Sequence, residues 1–183
     1  MKRPRQDDIP ITKISNSTVV GDFSSLDGES KILFLDPKCV LIGLNGVPYM
    51  LFITPGFDLN KLIKVTDENL YEIERIVVQS TFTSKPGDED LYGDIPDWLL
   101  SFKKVDLLKL EKINIDELWL LRNLPVQHLV LKKVKFDSPT ILKDSVLQFS
   151  SLAEITHDNT VSSEIIKEIS LIKPKIKFYY ETD

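Results

Sequence analysis

Cys39, His128 and His157 are the side chains that could carry nucleophilic or acid–base chemistry, because the chain holds one cysteine and two histidines. A thiol beside an imidazole makes a nucleophile with its own base. Cys39, however, lies within the apolar run CVLIGL. That setting predicts a buried, protonated and inert thiol. His157 falls at an inward position of a strand candidate and is expected to be a hydrogen-bonded core histidine. Neither a G-x-S-x-G elbow, a phosphate loop, a dinucleotide glycine pattern nor an H-E-x-x-H pair occurs. The segment SKPGDEDLYGDIPDW gathers Asp88, Glu89, Asp90, Asp94 and Asp97. It lacks the D-x-D-x-D-G spacing of a calcium loop. The expectation is a chain with no catalytic residue, no metal site and no cofactor.

At 183 residues and 42% apolar content the chain can bury a substantial core. A net charge of −5, with neither half forming a basic tail or an acidic arm, argues against binding nucleic acid through its phosphates. A single cysteine forbids an intrachain disulfide. The start MKRPRQDDIP has no apolar stretch after its basic residues, and no apolar run approaches a membrane span. Lys2, Arg3 and Arg5 are followed at once by Asp7 and Asp8, which suits a solvated terminus. A soluble cytoplasmic protein is therefore expected, with no nucleic-acid or membrane partner.

The elements that must position any site come from a repeat. VDLLKLEKINI, from Val105, recurs as VQHLVLKKVKF, from Val126, an offset of 21 residues. Val105, Leu108, Leu110, Ile113 and Ile115 align with Val126, Leu129, Leu131, Val134 and Phe136. Such a period signals stacked supersecondary units. Asn114 and Glu117 read as a capping box. Leu118, Leu121 and Leu124 then follow at helical spacing until Pro125. Ser138 and Pro139 open a second such helix, with Leu142, Val146 and Phe149 on one face. A third carries Ile165, Ile169 and Ile172 and stops at Pro174. Five parallel strands are expected, near residues 76, 108, 129, 155 and 176.

VDLLKL, VQHLVL and the looser IERIVV resemble the L-x-x-L-x-L strand motif of the leucine-rich repeat superfamily. LYGDIPDWL, residues 91–99, resembles the L-x-G-x-I-P-x-x-L segment of one repeat subtype. The asparagine of the family's turn is replaced by Ile113 and Val134. The resemblance implies an α/β fold, a short solenoid of about five parallel strands over residues 67–183. Residues 1–66 read as an N-terminal β-rich cap of short strands, STVVGDF, KILFLD, CVLIGL and VPYMLFI. Asn45-Gly46 marks a hairpin between the last two. A short helix begins at Asp58.

Strand alternation puts every second residue outside the core. Third positions are Arg75, Leu107, His128, Glu154 and Lys175; fifth positions are Val77, Lys109, Val130, Thr156 and Lys177. The expected partner-binding face combines Arg75, Leu107, Lys109, Lys112, His128, Val130, Lys132, Lys133, Lys177 and Tyr179. Lys109, Lys112, Lys132 and Lys133 are expected to cluster there, and Tyr179 and Tyr180 are candidate aromatic anchors. The functional expectation is a non-catalytic module that binds another protein through this face. The rival is an inhibitor or immunity-type protein that neutralises one tight partner through the acidic 84–97 insertion.

Overall fold

Leu108 and Leu129 lie side by side on neighbouring parallel strands, so the 21-residue offset is a strand register. The computed structural model describes residues 14–15, 18–19, 30–81 and 91–182. The basic start and Asp88, Glu89 and Asp90 lie outside the described residues, as does most of STVVGDF.

In chain order the strands are β1 (Ile14–Ser15), β2 (Thr18–Val19), β3 (Ser30–Asp36), β4 (Cys39–Leu44), β5 (Val47–Ile53) and β6 (Arg75–Gln79). There follow β7 (Gly93–Asp94), β8 (Leu107–Glu111), β9 (Ile113–Ile115), β10 (His128–Lys132), β11 (Lys135–Phe136), β12 (Glu154–His157) and β13 (Lys177–Tyr180). The α-helices are α1 (Asn60–Thr66), α2 (Ile141–Val146) and α3 (Ser163–Ile172). Eight strands form one open, mixed sheet in the order β13-β12-β10-β8-β6-β5-β4-β3. It is parallel from β5 to β13 and antiparallel among β3, β4 and β5. The β3–β5 strands therefore continue the same sheet beyond β6.

Asn45 and Gly46 both have positive φ, 54° and 78°, in the two-residue turn between β4 and β5. That is the conformation expected of an Asn-Gly hairpin. Lys112 and Lys133 are also left-handed, with φ of 53° and 50°. Each stands one residue past its main-sheet strand, where the chain turns a corner. After the corner, β9 and β11 pair in a second parallel sheet with β7.

This second sheet explains one departure from expectation. Asn114 does not build a capping box. It sits within β9, and its amide donates to Asp94 Oδ1 at 3.2 Å. The helical segment starts only at Leu118, as a 3-10 turn with no side-chain cap. The helix after Pro139 likewise starts late, at Ile141, whereas α3 is capped by Ser162, whose Oγ accepts the Ile165 N–H.

The core lies on the helical side of the main sheet. Leu41, Leu51, Ile76, Leu108, Leu129 and Ile155 are fully buried there, with Leu118, Leu121 and Val146 from the segments above them. Each such side chain contributes roughly 1.5–3 kcal/mol by leaving water.

The fifth strand of the expected set is displaced. Phe178, not Ile176, stands opposite Ile155. The cause is the way α3 ends. Lys173 donates its N–H to the Ile169 carbonyl and its Nζ to the Val146 and Phe149 carbonyls. A further turn, in which the Ile176 N–H reaches the Lys173 carbonyl, delays the strand by two residues. Lys177 thus takes the row expected for Lys175, and Tyr179 the row expected for Lys177. Because the shift is even, Lys177 and Tyr179 stay on the expected face.

Candidate functional site

On the face away from the core, parallel pairing brings side chains into rows. One row is Met50, Arg75, Leu107, His128, Glu154 and Lys177; the next is Phe52, Val77, Lys109, Val130, Thr156 and Tyr179. The sequence expectation has the β6, β8, β10 and β12 members of both rows, but neither Met50 nor Phe52, and it sets Lys177 in the second row rather than the first. It assumed they were open to solvent, and over half the sheet they are not.

Arg75, Leu107, Lys109 and Val130 are 8%, 6%, 6% and 1% exposed. The same face also holds a second buried apolar cluster, made by Val40, Ile42, Met50, Phe52 and Val77 with Tyr49 packed against it. The polar residues nearest to it adapt. Arg75 lays its guanidinium over the Tyr49 ring, 5.3 Å from the centroid, while its Nε and Nη1 have no hydrogen-bond partner among the described residues. Lys109 pairs with Glu111 at 3.0 Å. These four residues do not form a docking surface in this conformation, and the stem of Lys109 is part of a covered layer.

Nor do the four lysines form a bare positive patch. Lys109 is neutralised by Glu111, and Lys132 bonds Glu181 at 3.3 Å. Lys112 and Lys133 sit at the left-handed corners, half-buried, between the two sheets. The corner amides have distinct acceptors. Lys112 N–H donates to the Lys132 carbonyl at 3.0 Å, whereas Lys133 N–H donates to the Asp158 carboxylate at 2.7 Å. Asp158 thus replaces a backbone acceptor at the last corner. Burial alone would raise its pKa, but donors from the Thr160 hydroxyl, the Thr160 amide and the Lys133 amide prevail and hold it below the ordinary aspartate range.

The face opens toward β10, β12 and β13. His128 Nε2 and Thr156 Oγ1 are 2.8 Å apart, and His128 Nδ1 lies 3.9 Å from Glu154. Lys132, Thr156 and Glu154 are half-buried, Lys177 is exposed, and Tyr179 is 45% exposed. Glu154, Thr156 and Glu181 belong to this group although the expected binding set omitted them. The signal for the first two was present in the alternation. Glu181 became visible only with the two-residue shift of β13.

The candidate nucleophile and bases do not meet. Cys39 is buried on β4, and burial, reinforced by the charge of Asp36, pushes its thiol up to about 12. His128, on β10, is four strand spacings away, roughly 19 Å at the usual inter-strand distance. His157 is buried, with Nδ1 3.0 Å from the Asp158 carbonyl and its ring edge-on to Phe178 and Tyr180. Trp98 and Trp119 both fall on 3-10 turns, the first packed on the core and the second 37% exposed. Among the described residues no helix is long and apolar enough to cross a membrane. Comparison with protein-family models, curated proteins and solved structures finds no match.

Proposed function

We propose that this chain is a non-catalytic protein-binding module, a short solenoid of the leucine-rich-repeat kind, working in the cytoplasm. One observation carries the reading. The outer sheet face changes character along the stack, from apolar and covered over β4–β6 to polar and partly exposed over β12 and β13, with His128 and Lys132 of β10 at its border. The open half offers a histidine, a hydroxyl, a tyrosine and charges of both signs on a rigid parallel frame, the mixture of adaptable polar groups and aromatic anchor that interfaces use. The binding group therefore narrows to His128, Lys132, Glu154, Thr156, Lys177 and Tyr179.

The test is capture of a partner by the wild type and by a His128→Ala/Lys132→Glu variant matched in thermal stability. Loss of a partner by the variant supports the reading. Undiminished capture removes this face from consideration.

A further inference from the structure

The outer strand β13 has β12 on one side and, among the described residues, no strand on the other. Apolar side chains of β13 and of the end of the preceding helix stand in water. Leu171 and Ile172, at the end of α3, are 84% and 53% exposed, and Tyr179 and Tyr180 are 45% and 61% exposed. Unpaired peptide groups flanked by apolar side chains form a template for an added strand.

The hydrogen-bond parity of the edge is defined. Lys177 N–H donates to the Ala153 carbonyl and Glu181 N–H to the His157 carbonyl, both at 2.9 Å. Residues 177, 179 and 181 therefore turn their peptide groups inward, and Phe178 and Tyr180 turn theirs outward. An antiparallel newcomer must make its hydrogen-bonded pairs with Phe178 and Tyr180.

The run Lys177-Phe178-Tyr179-Tyr180-Glu181 is complementary in charge to its own reverse. A second copy, turned about a two-fold axis through Tyr179, sets Phe178 opposite Tyr180 in both hydrogen-bonded pairs. It also sets Lys177 opposite Glu181 twice, in the closely spaced pairs where side chains meet best. We infer that two copies of this chain associate edge to edge through β13, joining their main sheets across a two-fold axis. Such an interface is isologous and closes on itself, so it ends at a dimer. On the sheet face, each Glu181 carboxylate, already 3.3 Å from Lys132, gains the other copy's Lys177. The axis is normal to the sheet, so both open faces point to the same side.

The experiment is sedimentation equilibrium of the full chain across micromolar concentrations. Wild type is expected to be dimeric. Lys177→Glu and Glu181→Lys each convert two attractive pairs into repulsive ones and should weaken association by roughly tenfold or more. Mixing the two variants restores opposite charges at both contacts, so the mixture should associate where neither does alone. That rescue also shows that both variants are folded. A monomeric wild type, a dimer that neither substitution weakens, or a mixture that fails to reassociate overturns the inference.

Discussion

Replacing Asp158 with alanine tests how the last corner of the sheet is held. The side chain is 2% exposed and accepts from Lys133 N–H at 2.7 Å, Thr160 N–H at 3.0 Å and Thr160 Oγ at 2.6 Å. Thr160 is exposed, so its two donors can turn to water once the carboxylate is gone. Lys133 N–H sits at a half-buried corner beside β12 and has less access to a substitute. One orphaned amide plus the lost charge-assisted bonds should cost about 2–3 kcal/mol, equivalent to roughly 5–10 °C in Tm for a chain of this size. Asp158→Asn keeps one acceptor oxygen and should lose about half as much. The assay is urea unfolding, with wild type and variants followed from neutral to acid pH. Because the folded carboxyl lies below its ordinary range, its contribution is complete above that range and is lost as the pH falls through the folded value. The difference between wild type and Asp158→Ala should therefore shrink in acid. A loss below about 1 kcal/mol, or one that is the same in acid as at neutrality, would refute the assignment of Asp158 as acceptor for this corner.

Lys133→Gly places a residue with no Cβ at φ 50° and should stabilise the fold by roughly 0.5–1 kcal/mol in the same assay, whereas a loss would show that the lysine side chain holds the corner. Arg75→Met replaces a buried guanidinium, two of whose nitrogens lack partners among the described residues, by an apolar group that can still pack on Tyr49; unfolding should show it neutral or more stable by about 1–2 kcal/mol, and a loss above about 2 kcal/mol would mean the charge is compensated. Cys39, its thiol pushed up to about 12 within the core, should resist alkylation at pH 8 in the native protein and react fully in denaturant; rapid native labelling would contradict its place on β4.

Side-chain alternation was legible because it follows from strand geometry alone. Leu108 and Leu129 announced their register, and Asn45-Gly46 its turn, through residue types that few other structures tolerate. The corners at Lys112 and Lys133 were not legible, because lysine gives no warning of a left-handed backbone. Without them β9 and β11 could not be foreseen, and Asn114 read as a helix cap. The start of β13 was misplaced for a related reason. The carbonyls bound by the Lys173 side chain belong to Val146 and Phe149, 27 and 24 residues away, and such a tertiary contact leaves no local pattern. Exposure was the largest miss. Alternation says which face Arg75, Leu107, Lys109 and Val130 occupy, but not whether that face sees water. The runs of consecutive apolar residues in β4 and β5 were the available sign of a sheet buried on both sides there.

The most direct measurement is photo-crosslinking in cells with a reactive residue placed at Thr156, on the open face, or at Leu147, exposed on the helical side. Binding through the sheet face predicts a covalent adduct with another protein from position 156 and none from position 147. An adduct from position 147 alone, or from neither position, would contradict it.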